Sequence, residues 1–142
     1  MRKNFGVKPY TYPQPVFIIA TYGEDGTPDA MNAAWGGISE GNDVAEKFAK
    51  AGFHAVKSEY VDAPLIEELA VAVECRLKSY DEETCRMVGE IVNISVDESV
   101  LDEQGKVDVA KVQPITFDPF NNTYVKLGEV VGNAFKDGAA LK

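Results

Sequence analysis

The chain has 142 residues, the size of one domain, and its 45% hydrophobic and 26% charged residues suit a globular protein that buries a core without metals or disulfides. Its net charge of -9 works against nucleic acid, whose binding rests on neutralising phosphates, and against anionic membrane surfaces. Two cysteines, Cys75 and Cys85, and one histidine, His54, exclude a zinc motif, and no stretch approaches transmembrane length.

The opening "KPYTYPQP" is punctuated by Pro9, Pro13 and Pro15, which force an extended path. The apolar run near the start is too short for a signal peptide and lacks a cleavage site, so a reducing cytoplasm is the expected setting. "VFIIATY" (16–22) is a β-branched apolar run and predicts a buried strand. "GEDGTPD" (23–29) is turn chemistry, and "AMNAAWGGI" then reads as the returning strand of a hairpin. In "NDVAEKFAKAG" the period changes: Val44, Phe48 and Ala51 share a helical face, Asn42 or Asp43 caps its start and Gly52 ends it. "FHAVKSEYVDAP" reads as irregular. "LAVAVECRLKSY" (69–80) predicts a long strand, with Ala70, Ala72 and Glu74 on one face and Leu69, Val71, Val73 and Cys75 on the other. "CRMVGEIVNISVD" (85–97) predicts its partner, with Gly89 a bulge or a point of close approach. "SVLDEQGKVDVAKV" is a turn-rich excursion, "QPITFDPFNNTYVKLG" offers short strands around a turn, and "EVVGNAFKDG" is a short helix or coil. Hairpin-joined strands with few helices predict an α+β, mainly β chain: a small antiparallel barrel with peripheral helices.

Few motifs carry chemistry. His54 has no nucleophile signature beside it and reads as a surface or loop histidine. The thiols of Cys75 and Cys85 are expected buried or half-buried. The acidic runs "EDG", "YDEET" and "LDEQG" read as solvated loops, and none matches a calcium-loop pattern. The glycines of "GEDGTPDAMNAAWGG" lack the strand–GxGxxG–helix order of a dinucleotide site. Trp35 offers a π-face and an N–H, and Asn32 a paired donor and acceptor, a set suited to a flat heteroaromatic ligand. By composition alone, core packing is the commoner role for such a tryptophan.

The series "KNFGVKPYTYPQPVFIIATYGEDGTPDAMNAAWGGI", "KFAKAGFHAVKSEYVDAPLIEELAVAVECRL", "VGEIVNISVDESVLDEQGKVDVAKVQPITFDP" and "YVKLGEVVGNAF" resembles the flavoredoxin branch of the flavin reductase-like proteins over nearly the whole chain. The resemblance implies one domain over 1–142 with an FMN-binding split β-barrel. It implies a homodimer with flavin near the subunit interface, and electron transfer or flavin reduction with NAD(P)H as donor. It carries the flavin contacts onto Asn32, Ala33, Ala34, Trp35 and Gly36, with Phe117 and Tyr124 approaching the same region; it assigns no catalytic residue. The chain departs from the family after Ile38, which runs almost directly into "SEGNDVAEKFA". The family has there a segment that helps hold the flavin phosphate, and the gap is roughly forty to fifty residues, at least two strands at ordinary strand and loop lengths. A phosphate wants N–H groups, hydroxyls and cations, so this loss puts activity in question. Lost strands leave open sheet edges, so the expectation is a barrel with fewer strands and an intimate or strand-exchanged dimer. The alternative is a truncated, non-catalytic scaffold or dimerisation protein with weak or no FMN binding.

Overall fold

The structure is a computed structural model that describes residues 3–4, 6–8, 11, 13–33, 46–137 and 139. Its eight strands form four antiparallel hairpins, and among the described residues no ladder joins one hairpin to the next, so no closed barrel is seen. The described residues are mainly β, with two α-helices of five and four residues.

Strands β1 (Phe17–Tyr22) and β2 (Pro28–Ala33) form the expected first hairpin, in a register that pairs Ile18 with Asn32 and Phe17 with Ala33. Its turn works as the sequence suggested. Gly26 takes a φ of 80° that a side chain would resist, and Asp25 accepts the Thr27 N–H at 2.9 Å. Helix α1 (Lys47–Ala51) ends at Gly52, whose φ of 74° lets its N–H reach back to the Ala49 carbonyl. The expected caps Asn42 and Asp43, and Val44, lie outside the described residues. The helix is entered instead through Glu46 in a left-handed conformation, with no side-chain cap. Phe48 is buried as expected and meets Phe53 edge-on at 6.3 Å, whereas Ala51 is exposed.

The segment read as irregular contains a small ladder, β3 (Ala55–Lys57) with β4 (Pro64–Ile66). Its turn is organised by Ser58, whose Oγ accepts the N–H groups of Tyr60 (2.9 Å) and Val61 (3.0 Å). A hydroxyl-closed turn carries no glycine or proline signal, which is why the sequence hides it.

The longest pair is β5 (Val71–Asp81) with β6 (Arg86–Val96). The ladder shifts register between Glu74 and Cys75 and again between Leu77 and Ser79. Gly89 faces Leu77 beside the second shift, and a Cβ on it would meet the Cys75 Cβ at 3.3 Å, so close approach is its role. The apolar side of this hairpin is exposed, and Cys75 with it; Cys85, at a φ of 53°, is exposed at the turn. Both thiols, expected buried or half-buried, are exposed, and Cys75 lies on a face that no described element covers.

A single turn of 3-10 helix (Glu98–Val100) and α2 (Val109–Val112) follow, each capped by an aspartate, Asp97 and Asp108. Strands β7 (Ile115–Asp118) and β8 (Thr123–Lys126) form the last hairpin, and residues 127–137 contain turns but no helix. Among the described residues the apolar core is small: Phe48, Ile66, Val100 and Phe117 are its buried members. No helix of the described residues is long and apolar enough to cross a membrane.

Candidate functional site

A cleft of about 340 Å³ lies between the first hairpin and α1. β1 and β2 contribute Ile18, Ala30, Met31 and Asn32; α1 and the residues after it contribute Lys47, Lys50, Ala51 and Phe53. The floor is apolar, and the polar groups are one carboxamide and two ammonium groups. Asn32 reaches the cleft because β2 places it opposite Ile18, another lining residue. Lys47 and Lys50 stand three residues apart and so share a helix face. Lys47 is largely covered and lies 3.5 Å from Asp29, which steadies it against β2.

Asn32 and Ala33 occupy the end of β2, with Asn32 in the cleft wall. Ala34, Trp35 and Gly36 lie outside the described residues. Phe117 and Tyr124 are brought to each other, edge to face at 5.9 Å across the β7–β8 ladder, and neither lines the cleft. Their hairpin is held to the lead-in: the Phe117 N–H donates to the Gln14 carbonyl at 3.0 Å, and the Gln14 N–H to Thr116 Oγ1 at 2.8 Å. The buried Asp118 fixes the following turn by accepting the Phe120 N–H at 2.9 Å and the Asn121 amide at 2.7 Å. Neither lysine stands out in the sequence as a site residue. Their signal was present as the i, i+3 spacing of cations in "EKFAK", but their proximity to Asn32 depends on helix placement.

A second polar cluster joins His54, Glu67 and Glu68, whose ligand atoms lie within 4.8 Å of one another. All three are exposed, and His54 Nδ1 already lies 2.5 Å from Glu68, while the His54 N–H donates to the same carboxylate. The Glu68 hydrogen bond raises the His54 pKa above its ordinary value, and bonds from His54 lower that of Glu68. This is a solvated pair tying β3 to the end of β4. A third group is buried: Glu74 accepts from Ser58 Oγ and, at 2.7 Å, from the Asn93 amide. The Ser58 bond is the main reason its carboxyl sits below the usual range.

The chain has a flavoredoxin-like fold. It superposes on the flavoredoxin of Desulfovibrio vulgaris (Miyazaki F) with a TM-score of 0.86 at 29% identity, over 97% of this chain and 100% of that one. Flavoredoxin from Methanosarcina acetivorans shares the fold at a TM-score of 0.71 and 21% identity, over 99% and 100% of the two chains. So does nitrilotriacetate monooxygenase component B from Bacillus cereus, at 0.66 and 14%, over 94% and 100%. An uncharacterized protein of Aquifex aeolicus (strain VF5) is 37% identical over 71 residues, 49% of this chain and 36% of that protein, so the match spans about a third of that relative's length. No family model matches the chain.

Proposed function

We propose that the chain is a redox flavoprotein of flavoredoxin type, holding FMN and passing electrons to or from it, with NAD(P)H as the donor if it reduces flavin. It is read as one flavin reductase-like domain of split-barrel descent, shortened after about residue 38 and working in the cytoplasm. The observation that carries the reading is the cleft, in which the carboxamide of Asn32 shares an apolar hollow with Lys47 and Lys50.

The donor set fits the cofactor. A hollow of about 340 Å³ is at the lower end of the range for cofactor sites, which run from roughly 300 to 1,000 Å³. Its apolar walls suit a flat ring, Asn32 matches a mixed donor–acceptor edge, and the lysines suit an anionic tail. Bound FMN would supply the redox chemistry, and the protein the binding, orientation and electrostatics. Asn32 would orient the ring, Ile18, Met31 and Phe53 would exclude water from one side, and Lys50 would offset phosphate charge. Lys47 would act with it, its charge partly shared with Asp29. Trp35 would belong to the flavin contacts by the family resemblance. On this reading the two lysines replace part of what the family's phosphate-holding segment provides.

The test is colour. Purified protein should carry yellow flavin absorbance that denaturation releases, and Trp35→Ala should lose it while folding normally. Colourless protein that leaves the fluorescence of added FMN unchanged would refute the proposal and support the non-catalytic scaffold. The observation favouring that second reading is the exposed apolar side of the β5–β6 hairpin, which suits an interaction protein.

A further inference from the structure

We infer that Asp29 competes with the flavin phosphate for Lys47, and so sets how strongly the cleft prefers a phosphorylated flavin to an uncharged one. The inference rests on the reading of the cleft as an FMN site and assigns a specificity-determining residue to it. Asp29 and Met31 stand two residues apart on β2, hence on the same side of the strand, and Met31 lines the cleft. Asp29 stands just outside that lining. Its Oδ1 lies 3.5 Å from Lys47 Nζ and also accepts the Ala30 N–H at 2.8 Å. The Ala30 bond keeps the carboxylate within reach of the ammonium group.

The exposures of the two side chains decide the direction of the effect. Lys47 is 12% exposed and Asp29 34%. A covered ammonium group needs an opposite charge near it, and Asp29 supplies one from the edge of the cleft. A phosphate entering the cleft has to share Lys47 with that carboxylate. Packing along its stem holds Lys47 in the wall, so removing the Asp29 charge leaves the ammonium group where it is and gives its attraction to the anion. Lys50 stands three residues further on, on the same helix face, and makes no ion pair among the described residues. The Asp29–Lys47 pair is thus neutral as a unit, and Lys50 is the cation left to attract an anion.

Asp29→Asn tests this with little change of shape, because the amide oxygen still accepts the Ala30 N–H and only the charge is lost. In fluorescence titrations at low salt the variant should bind FMN about two- to fivefold more tightly than the native chain, the size of one partly exposed charge pair. Riboflavin, which lacks the phosphate, should bind both proteins alike. Raising the salt should shrink the gain for FMN. Placed on a Lys47→Met background, Asp29→Asn should lose most of that gain, since no ammonium group remains for the two anions to share. A native protein that binds neither flavin would overturn the FMN reading and this inference with it. With FMN binding in place, an unchanged or weaker FMN affinity in Asp29→Asn, an equal gain for riboflavin, or a gain undiminished by Lys47→Met would each overturn the inference and leave the FMN reading standing.

Discussion

His54 and Glu68 show what one exposed pair contributes and over which pH range. The His54 pKa is raised from its ordinary 6.5, chiefly by the Glu68 hydrogen bond, and that of Glu68 is lowered from 4.5 by bonds from His54. Stability from the raised histidine is fully present below pH 6.5 and is lost as pH climbs through its folded-state value. Stability from the lowered carboxylate is present above 4.5 and is lost as pH falls through its folded-state value. His54 is the only histidine, so its ring resonances give an unobstructed titration. They should titrate above 6.5 in the native chain and return toward 6.5 in Glu68→Gln. An unchanged midpoint in the variant would mean the pair does not form in solution. At the same scale, Lys50 matters for a different reason: it makes no ion pair among the described residues, and it stands in the cleft wall beside Asn32.

At the scale of elements, the β5–β6 hairpin depends on Glu74. Removing a buried acceptor strands the groups that donate to it, at a cost of about 1–3 kcal/mol for each group left unsatisfied. Glu74→Leu should therefore lower the unfolding free energy by an amount in that range, read as an earlier urea midpoint, with Glu74→Gln losing less because its carbonyl still accepts. Equal stability for Glu74→Leu and the native chain would show that Ser58 and Asn93 find water instead.

The elements also show how legible the chain was. β1 announces itself as a β-branched apolar run, β5 and β6 by alternation, and Gly26 and Gly52 by turns that only glycine enters easily. β3 and β4 stay hidden because three-residue strands carry no period and Ser58 closes their turn. The entry to α1 passes through Glu46 in a left-handed conformation, which propensity does not suggest. Of the candidate site, Asn32 was legible from its neighbours. Lys47 and Lys50 were not, because their role depends on where α1 lies against β2. Phe117 and Tyr124, which the resemblance names for the flavin, pack on each other in a pairing fixed by ladder register.

At the scale of the whole molecule, four hairpins keep a flavoredoxin-like arrangement although no ladder joins them among the described residues. Among the described residues the apolar face of β5–β6 is uncovered. That face lies on a different hairpin from the cleft. The proposed function requires this cleft to hold FMN through its lysines. A fluorescence titration of the purified protein with FMN, and in parallel with riboflavin, which lacks the phosphate, tests it most directly. Saturable quenching by FMN is expected, with riboflavin binding roughly two- to fivefold more weakly, as an exposed charge pair is worth, and with Lys50→Glu erasing that preference. No quenching by either flavin, or equal binding of both that Lys50→Glu leaves unaltered, would contradict the account.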